Sequence, residues 1–255
     1  MIINADDFGA APAVTAAILE SFRHGWCSST TLMANMPGTD EACQLAHDHR
    51  LLEHIGLHLV LDDGPPLSEG IRRCSRFCDS RGLLAFRRHG ITARLDASEK
   101  SALAAEIRAQ IARCRGAGVP VTHVDSHHHV HTQWAICAVV LVIAREEGIP
   151  FVRLTRNCGR AARGPRAIYK RVLNARIRRA GLARTTYFGS IEDCGQLVQL
   201  EGARALDVAE VMVHPLRDGA GQVVDGNKPG TLAEAIARLP GWEDAVSFTG
   251  RRYPR

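Results

Sequence analysis

Residues 120–131 read PVTHVDSHHHVH, a short run with β-branched residues that ends in an aspartate and then in a crowd of imidazoles. An apolar stretch of this length, bounded by polar residues, reads as a strand whose C-terminal end carries chemistry. The histidines at 123, 127, 128, 129 and 131 stand mid-chain between apolar segments, where an added tag is a poor explanation. A solvated loop, a pH sensor and a metal site remain, and the neighbouring elements have to decide among them.

Outward from this stretch, strand and helix patterns alternate. Towards the N-terminus, MIINA (1–5), SSTTLMAN (28–35) and HIGLHLVL (54–61) read as strands. PAVTAAILESFRHG (12–25) is a helix with Pro12 near its start and Gly25 beyond its end. TDEACQLAHDH (39–49) is a second helix, capped by Thr39 or Asp40. SEKSALAAEIRAQIARCRGAG (98–118) is an amphipathic helix capped by Ser98 and stopped by Gly116 and Gly118. Towards the C-terminus, WAICAVVLVIAREEG (134–148) is a mostly buried helix, and PFVRLT (150–155), RTTYFGS (184–190) and AEVMVHP (209–215) complete seven strands. Strands separated by helices imply an α/β fold with a parallel sheet. Seven of them in 255 residues favour a closed or nearly closed barrel over an open sheet, as one domain spanning 1–255. Residues 62–97 break the rhythm with Gly, Pro, Arg and two cysteines, and read as a loop insertion over one end, a lid.

Composition narrows the function classes. Hydrophobic content of 45% and charged content of 23% suit an ordinary globular protein. Most of the net charge of +5 comes from the arginine-rich stretch 153–184, which suits phosphates, peripheral contact with an anionic membrane, or simply a solvated helix. Few aromatics and no nucleic-acid signature argue against nucleic acid as a partner. No apolar run approaches the ~20 residues of a membrane span. MIINADDFG has none of the marks of a signal peptide, and the eight cysteines are scattered, so reduced thiols and a cytoplasmic location are expected. No four-cysteine zinc spacing occurs.

In such folds the C-terminal ends of the strands carry the active groups. Here those ends bear Asp6-Asp7, His58, Asp125-Ser126-His127 and His214. Two imidazoles and one carboxylate from separate strands are what a catalytic divalent metal needs, with a position left open for water. A second carboxylate beside the first can take the water's proton. That division of labour for Asp6 and Asp7 requires the strand to be ending, because side chains alternate along a regular strand. Blander readings exist for each residue alone: a turn for the aspartate pair, a core position for His58, a strand end for His214. His127, His128, His129 and His131 cannot all bind one ion.

NADDFG (4–9), GLHLVL (56–61), THVDSHHHVH (122–131) and VMVHP (211–215) together resemble, in order, the YdjC-like carbohydrate deacetylases, which include chitooligosaccharide deacetylases and hopanoid-biosynthesis-associated members. The resemblance implies a distorted seven-stranded (β/α) barrel and metal-dependent removal of an N-acetyl group from an amino sugar. By it, Asp7, His58 and His127 match the metal ligands and Asp6 the general base. His214 matches the acid or oxyanion-stabilising histidine, and Arg153 a position that orients the catalytic carboxylate. The resemblance suggests magnesium, whereas the donors suit zinc or another transition metal better. It leaves a homodimer open as the assembly.

The segment 70–90 and the arginines of 153–184 depart from chitooligosaccharide enzymes and favour an anionic, nucleotide-linked or lipid-linked sugar. The arginines also raise a metallophosphoesterase, although a binuclear site needs more ligands than the strand ends supply. A non-catalytic metal- or sugar-binding module would have ligands without a positioned base, whereas Asp6 adjoins Asp7. The tail AVSFTGRRYPR (245–255) lacks the helical ending expected of the family.

Overall fold

The computed structural model describes residues 1–87, 90–164, 166–226 and 228–253. In chain order its elements are β1 (Ile2–Phe8), α1 (Pro12–Arg23), β2 (Ser29–Leu32), α2 (Thr39–Asp48), β3 (Ile55–Leu59), α3 (Glu69–Arg72), α4 (Ala97–Gly116), β4 (Val124–Ser126), α5 (Trp134–Glu146), α6 (Ala167–Arg179), β5 (Tyr187–Ser190), α7 (Ile191–Glu201), β6 (Ala209–Val213), β7 (Pro215–Arg217), β8 (Val223–Asp225) and α8 (Leu232–Ile236). Among the described residues, one parallel sheet runs in the order β4-β3-β2-β1-β6-β5 and curls into a half-barrel. β7 and β8 form a separate antiparallel hairpin. Helices cover the parallel sheet, so β2, β3 and β6 are buried along their whole length on both faces.

The parallel sheet thus has six strands among the described residues where the sequence pattern suggests seven. PFVRLT contributes one bridge, Val152 with Val124. The Val124 N–H donates to the Phe151 carbonyl and the Arg153 N–H to the Val124 carbonyl, each at 2.9 Å. The ladder stops there because a side chain intervenes: Asn174 Oδ1 on α6 accepts the Thr155 N–H at 2.8 Å. On the edge away from β4, the Val152 N–H donates to the Leu182 carbonyl at 2.7 Å. The segment therefore sits beside β4 as an extended connector, and it still delivers Arg153 to the interior.

Residues 62–97 differ from a mere cover. They contain α3 and a Cys78–Leu84 antiparallel bridge, and Ile71, Phe77, Leu84, Phe86 and Leu95 share the apolar core of the sheet. Arg88 and His89 of this insertion lie outside the described residues. Its end sets the start of α4, which Asp96 caps in place of Ser98. Asp96 Oδ1 accepts the Glu99 N–H at 2.8 Å, and the Glu99 carboxylate accepts the Asp96 N–H at 3.0 Å. A carboxylate satisfies the free N–H groups and opposes the helix dipole better than a hydroxyl. Asp96→Ala should lower stability by about 1 kcal/mol, read as a shifted urea midpoint with an unchanged slope. An unmoved midpoint would return the cap to Ser98. Helix α2 has no side-chain cap, and Thr39 Oγ1 donates instead to the Met33 carbonyl at 2.7 Å.

The C-terminal tail has a physical role that no helix would serve. The Phe248 ring stacks on His123 with centroids 3.7 Å apart, and the Val246 N–H donates to the Met1 carbonyl at 3.0 Å. Ser28 Oγ donates to the Val246 carbonyl at 2.8 Å, and Tyr253 packs edge-on against Phe22 and His54. Met1, Ser28, His54 and His123 all precede strands, so the tail closes the N-terminal end of the sheet, opposite the rim formed by the strands' C-terminal ends. All eight cysteines are free thiols. Among the described residues no helix is long and apolar enough to cross a membrane.

Candidate active site

β1 does not stop at Ala5 but continues to Phe8 through an irregularity. Ala5 pairs with Thr30 and Phe8 with Leu32, so β1 holds one residue more than β2 between the pairs, a β-bulge. Asp7 takes up the extra length with φ of 71°, in the left-handed region that aspartate tolerates better than most residues. The bulge breaks the alternation of side chains. Adjacent aspartates thereby serve one site without the strand ending.

Asp7 Oδ1 lies 3.0 Å from His58 Nε2 on β3 and 3.1 Å from His127 Nδ1 just beyond β4. One ligand atom from each of the three falls within 4.8 Å of the others, a set that could hold a metal ion. On the far side of its ring, His58 Nδ1 is 2.7 Å from Asp125 Oδ1. A carboxylate behind an imidazole fixes its tautomer and raises its basicity as a ligand. Burial alone would lower the His58 pKa, but Asp125 and Asp7 overcome it and raise it well above the ordinary value. The same carboxylates that favour a proton on this ring favour a metal cation beside it. One hard and two borderline donors suit zinc or a similar ion.

Beneath this set Arg153 is completely buried among acids. Its Nη1 and Nη2 donate to the two oxygens of Asp6, each at 2.7 Å. Nη1 also lies 2.5 Å from Asp125 Oδ2, and Nε donates to Glu210 Oε1 at 2.5 Å. The guanidinium carbon sits 4.7 Å over the Phe188 ring. Asn4 Nδ2 donates to Asp6 Oδ1 at 2.9 Å, completing the cradle of that carboxylate. A further set of possible ligands, Asp6, His58 and Asp125, is excluded as an ion site because Arg153 already occupies both carboxylates.

His214 stands at the mouth, with Nε2 3.9 Å from Asp6 Oδ2 and Nδ1 3.9 Å from Asp225 Oδ1. Its backbone N–H donates to Asp225 Oδ1 at 2.7 Å, and Lys228 Nζ donates to Asp225 Oδ2 at 2.7 Å. The remaining histidines divide by environment. Burial pushes His131 down to about 3, and His123 and His129 well below their ordinary range, so all three are neutral at pH 7. His131 Nδ1 lies 2.5 Å from Ser126 Oγ, and His123 Nε2 3.2 Å from Asn4 Oδ1. His128 Nδ1 reaches Asp62 Oδ2 at 2.9 Å.

The acids make stability depend on pH in two directions. Burial would raise Asp6 and Asp7, but Arg153 at the first and His127 and His58 at the second hold both well below the usual carboxylate range. Their contribution is present above the unfolded value of about 4 and is lost as the pH falls towards the depressed one. Glu210 behaves oppositely. Burial, joined by Asp125 and Asp6 and only partly opposed by Arg153, pushes it up to about 7. Its carboxylic acid therefore favours the fold below about pH 4 and loses that advantage as the pH rises through 7. Urea melts should show Glu210→Gln flattening the decline between these values while leaving the acid limb in place. A Glu210→Gln curve parallel to the parent would contradict this assignment.

All six residues singled out from the sequence come together here: Asp6, Asp7, His58, His127, Arg153 and His214. Asp125, Glu210, Asp225 and Asp62 are additional. Asp125 had a signal, since it ends the same strand that leads to His127. Glu210 and Asp225 lie in otherwise apolar runs, where a buried acid marks a partner without saying which. A family model described as YdjC-like protein matches residues 1–234. A carbohydrate deacetylase of Brevibacillus brevis is 42% identical over 153 residues, covering 59% of this chain and 57% of the relative. In that alignment the chain thus spans less than two thirds of the relative's length. Carbohydrate deacetylase 1 of Listeria innocua is 32% identical over 84% of this chain and 80% of its own length. A chitooligosaccharide deacetylase of Yersinia pestis is 32% identical over 99% of this chain and 96% of its own. A solved structure from Enterococcus faecalis V583, provisionally described as a cellobiose-phosphate cleavage protein, superposes with a TM-score of 0.68 over 93% of this chain and 89% of that one, at 24% identity. At that identity the likeness concerns the fold.

Proposed function

The chain belongs to the YdjC-like family, and from that premise we propose that it is a metal-dependent hydrolase that removes the N-acetyl group from an amino sugar. The observation that carries the proposal is the pairing of two adjacent acids in different settings: Asp7 lies against two imidazoles, and Asp6, buried and fixed by Arg153, lies 3.9 Å from His214 Nε2. A non-catalytic binding module would not need the second.

Asp7, His58 and His127 would hold the ion. Bound there, a divalent cation lowers the pKa of water and polarises the acetamide carbonyl. Asp6, ionised and immobilised by Arg153 and Asn4, accepts the proton of the attacking water as its oxygen adds to the carbonyl carbon. His214 gives a proton to the departing nitrogen as the C–N bond breaks, leaving acetate and a free amine. Its Nε2 lies 3.9 Å from Asp6 Oδ2, so a small approach of the ring lets the proton taken up by Asp6 return to His214. Asp125 keeps the His58 ring oriented. The donor chemistry favours zinc or another transition metal over magnesium.

Beside the mouth, a cavity of about 380 Å³ is lined by His129, Thr132, Arg156, Arg166, Tyr169 and Lys170, among others. It offers room for the rest of the sugar or for what the sugar is attached to. The test is acetate release from N-acetylated mono- and oligosaccharides, nucleotide sugars and glycolipids, before and after chelation. Release that stops with chelation and returns with zinc is expected. Phosphate release without acetate would favour a metallophosphoesterase instead.

A further inference from the structure

The histidine run supplies donors to two places. Beyond the inner set, one ligand atom each from Asp62, His127 and His128 also falls within 4.8 Å of the others. Asp62 lies in the loop that follows β3. Its Oδ2 meets His128 Nδ1 at 2.9 Å, while its Oδ1 is buried without a hydrogen-bond partner among the described residues. A buried carboxylate oxygen left unpaired is costly unless something positive meets it. His128 is held in place by a backbone φ of 47°, followed by His129 at 56°. Two successive non-glycine residues in the left-handed region are strained, and such strain persists where surrounding structure needs the side chains so directed. The turn brings the His127 and His128 rings to 3.9 Å between centroids. His128 is 62% exposed, so an ion can reach it from solvent.

We infer that Asp62, His127 and His128 form a second, outer site for a divalent transition-metal ion, zinc in the first instance. The inference rests on the inner reading in one respect, that the two sets share His127. An imidazole has two nitrogens, so one ring can serve both sets. His127 is common to both sets, and the exposure of His128 makes the outer ion the weaker and more exchangeable one. Two imidazoles and a carboxylate select zinc or cobalt over magnesium, which prefers oxygen donors.

Zinc bound per chain, measured by equilibrium dialysis with elemental analysis, tests this on the full chain. The parent should take up a second equivalent as free zinc rises, and Asp62→Asn and His128→Ala should each stop at a single equivalent. His58→Ala should also stop at a single equivalent, and combining it with Asp62→Asn should abolish binding. Thermal melts of each variant establish that it is folded, which the position of Asp62 and His128 at the mouth favours. A parent that saturates at a single equivalent untouched by Asp62→Asn or His128→Ala overturns the outer site. If that single equivalent survives His58→Ala and disappears in Asp62→Asn, the outer site stands and the inner reading fails.

Discussion

Asp6→Asn should keep its metal and lose turnover by roughly 10²–10⁴-fold, the usual contribution of a general base. Asparagine preserves size and polarity but cannot accept the proton of water at neutral pH. The surroundings make the substitution more severe than its size suggests. Both oxygens of Asp6 receive guanidinium hydrogens from Arg153, so one of those donors would face the amide NH₂ of asparagine. The read-outs are therefore acetate release per bound metal ion, together with a melt to confirm folding. Near-normal turnover with metal retained would remove Asp6 from the chemistry. Loss of the ion would make Asp6 a ligand.

Arg153→Met should destabilise the fold by about 3–5 kcal/mol, the cost of leaving a buried charge network without its counterion. Asp6, Asp125 and Glu210 all lie against this one guanidinium, with their side chains almost completely buried. Methionine fills much of the volume but supplies no positive charge. The three acids can relieve their repulsion only by taking up protons, so the destabilisation should grow as the pH rises. Urea midpoints at acidic and neutral pH measure both effects. A loss below about 1 kcal/mol at neutral pH, the range of a surface pair, would mean that the acids are neutralised in some other way.

The alternation of strand and helix was readable because each buried parallel strand is a local apolar run. The rim residues were readable because chemistry gathers where such runs end. What local pattern could not show is where a side chain far along the chain interrupts the sheet. Asn174 takes the Thr155 N–H from 19 residues away and so ends the expected strand at one bridge. The bulge at Asp6-Asp7 was equally hidden, since it exists only in the mismatch of β1 against β2. The lid expectation for 62–97 underestimated Phe77, Leu84 and Phe86, which join the core although they stand in no helix or strand of the sheet. The histidine run gave the chemistry but not its division. His123 looks like His127 in sequence, yet it lies against Phe248 from the C-terminal tail, at the opposite end of the sheet.

Anomalous diffraction at the zinc edge, from crystals of the full chain grown with limiting zinc, tests whether Asp7, His58 and His127 hold a divalent metal. The strongest peak should lie within bonding reach, about 2.0–2.2 Å, of Asp7 Oδ1, His58 Nε2 and His127 Nδ1. A strongest peak elsewhere, with none among these three atoms, would contradict that assignment.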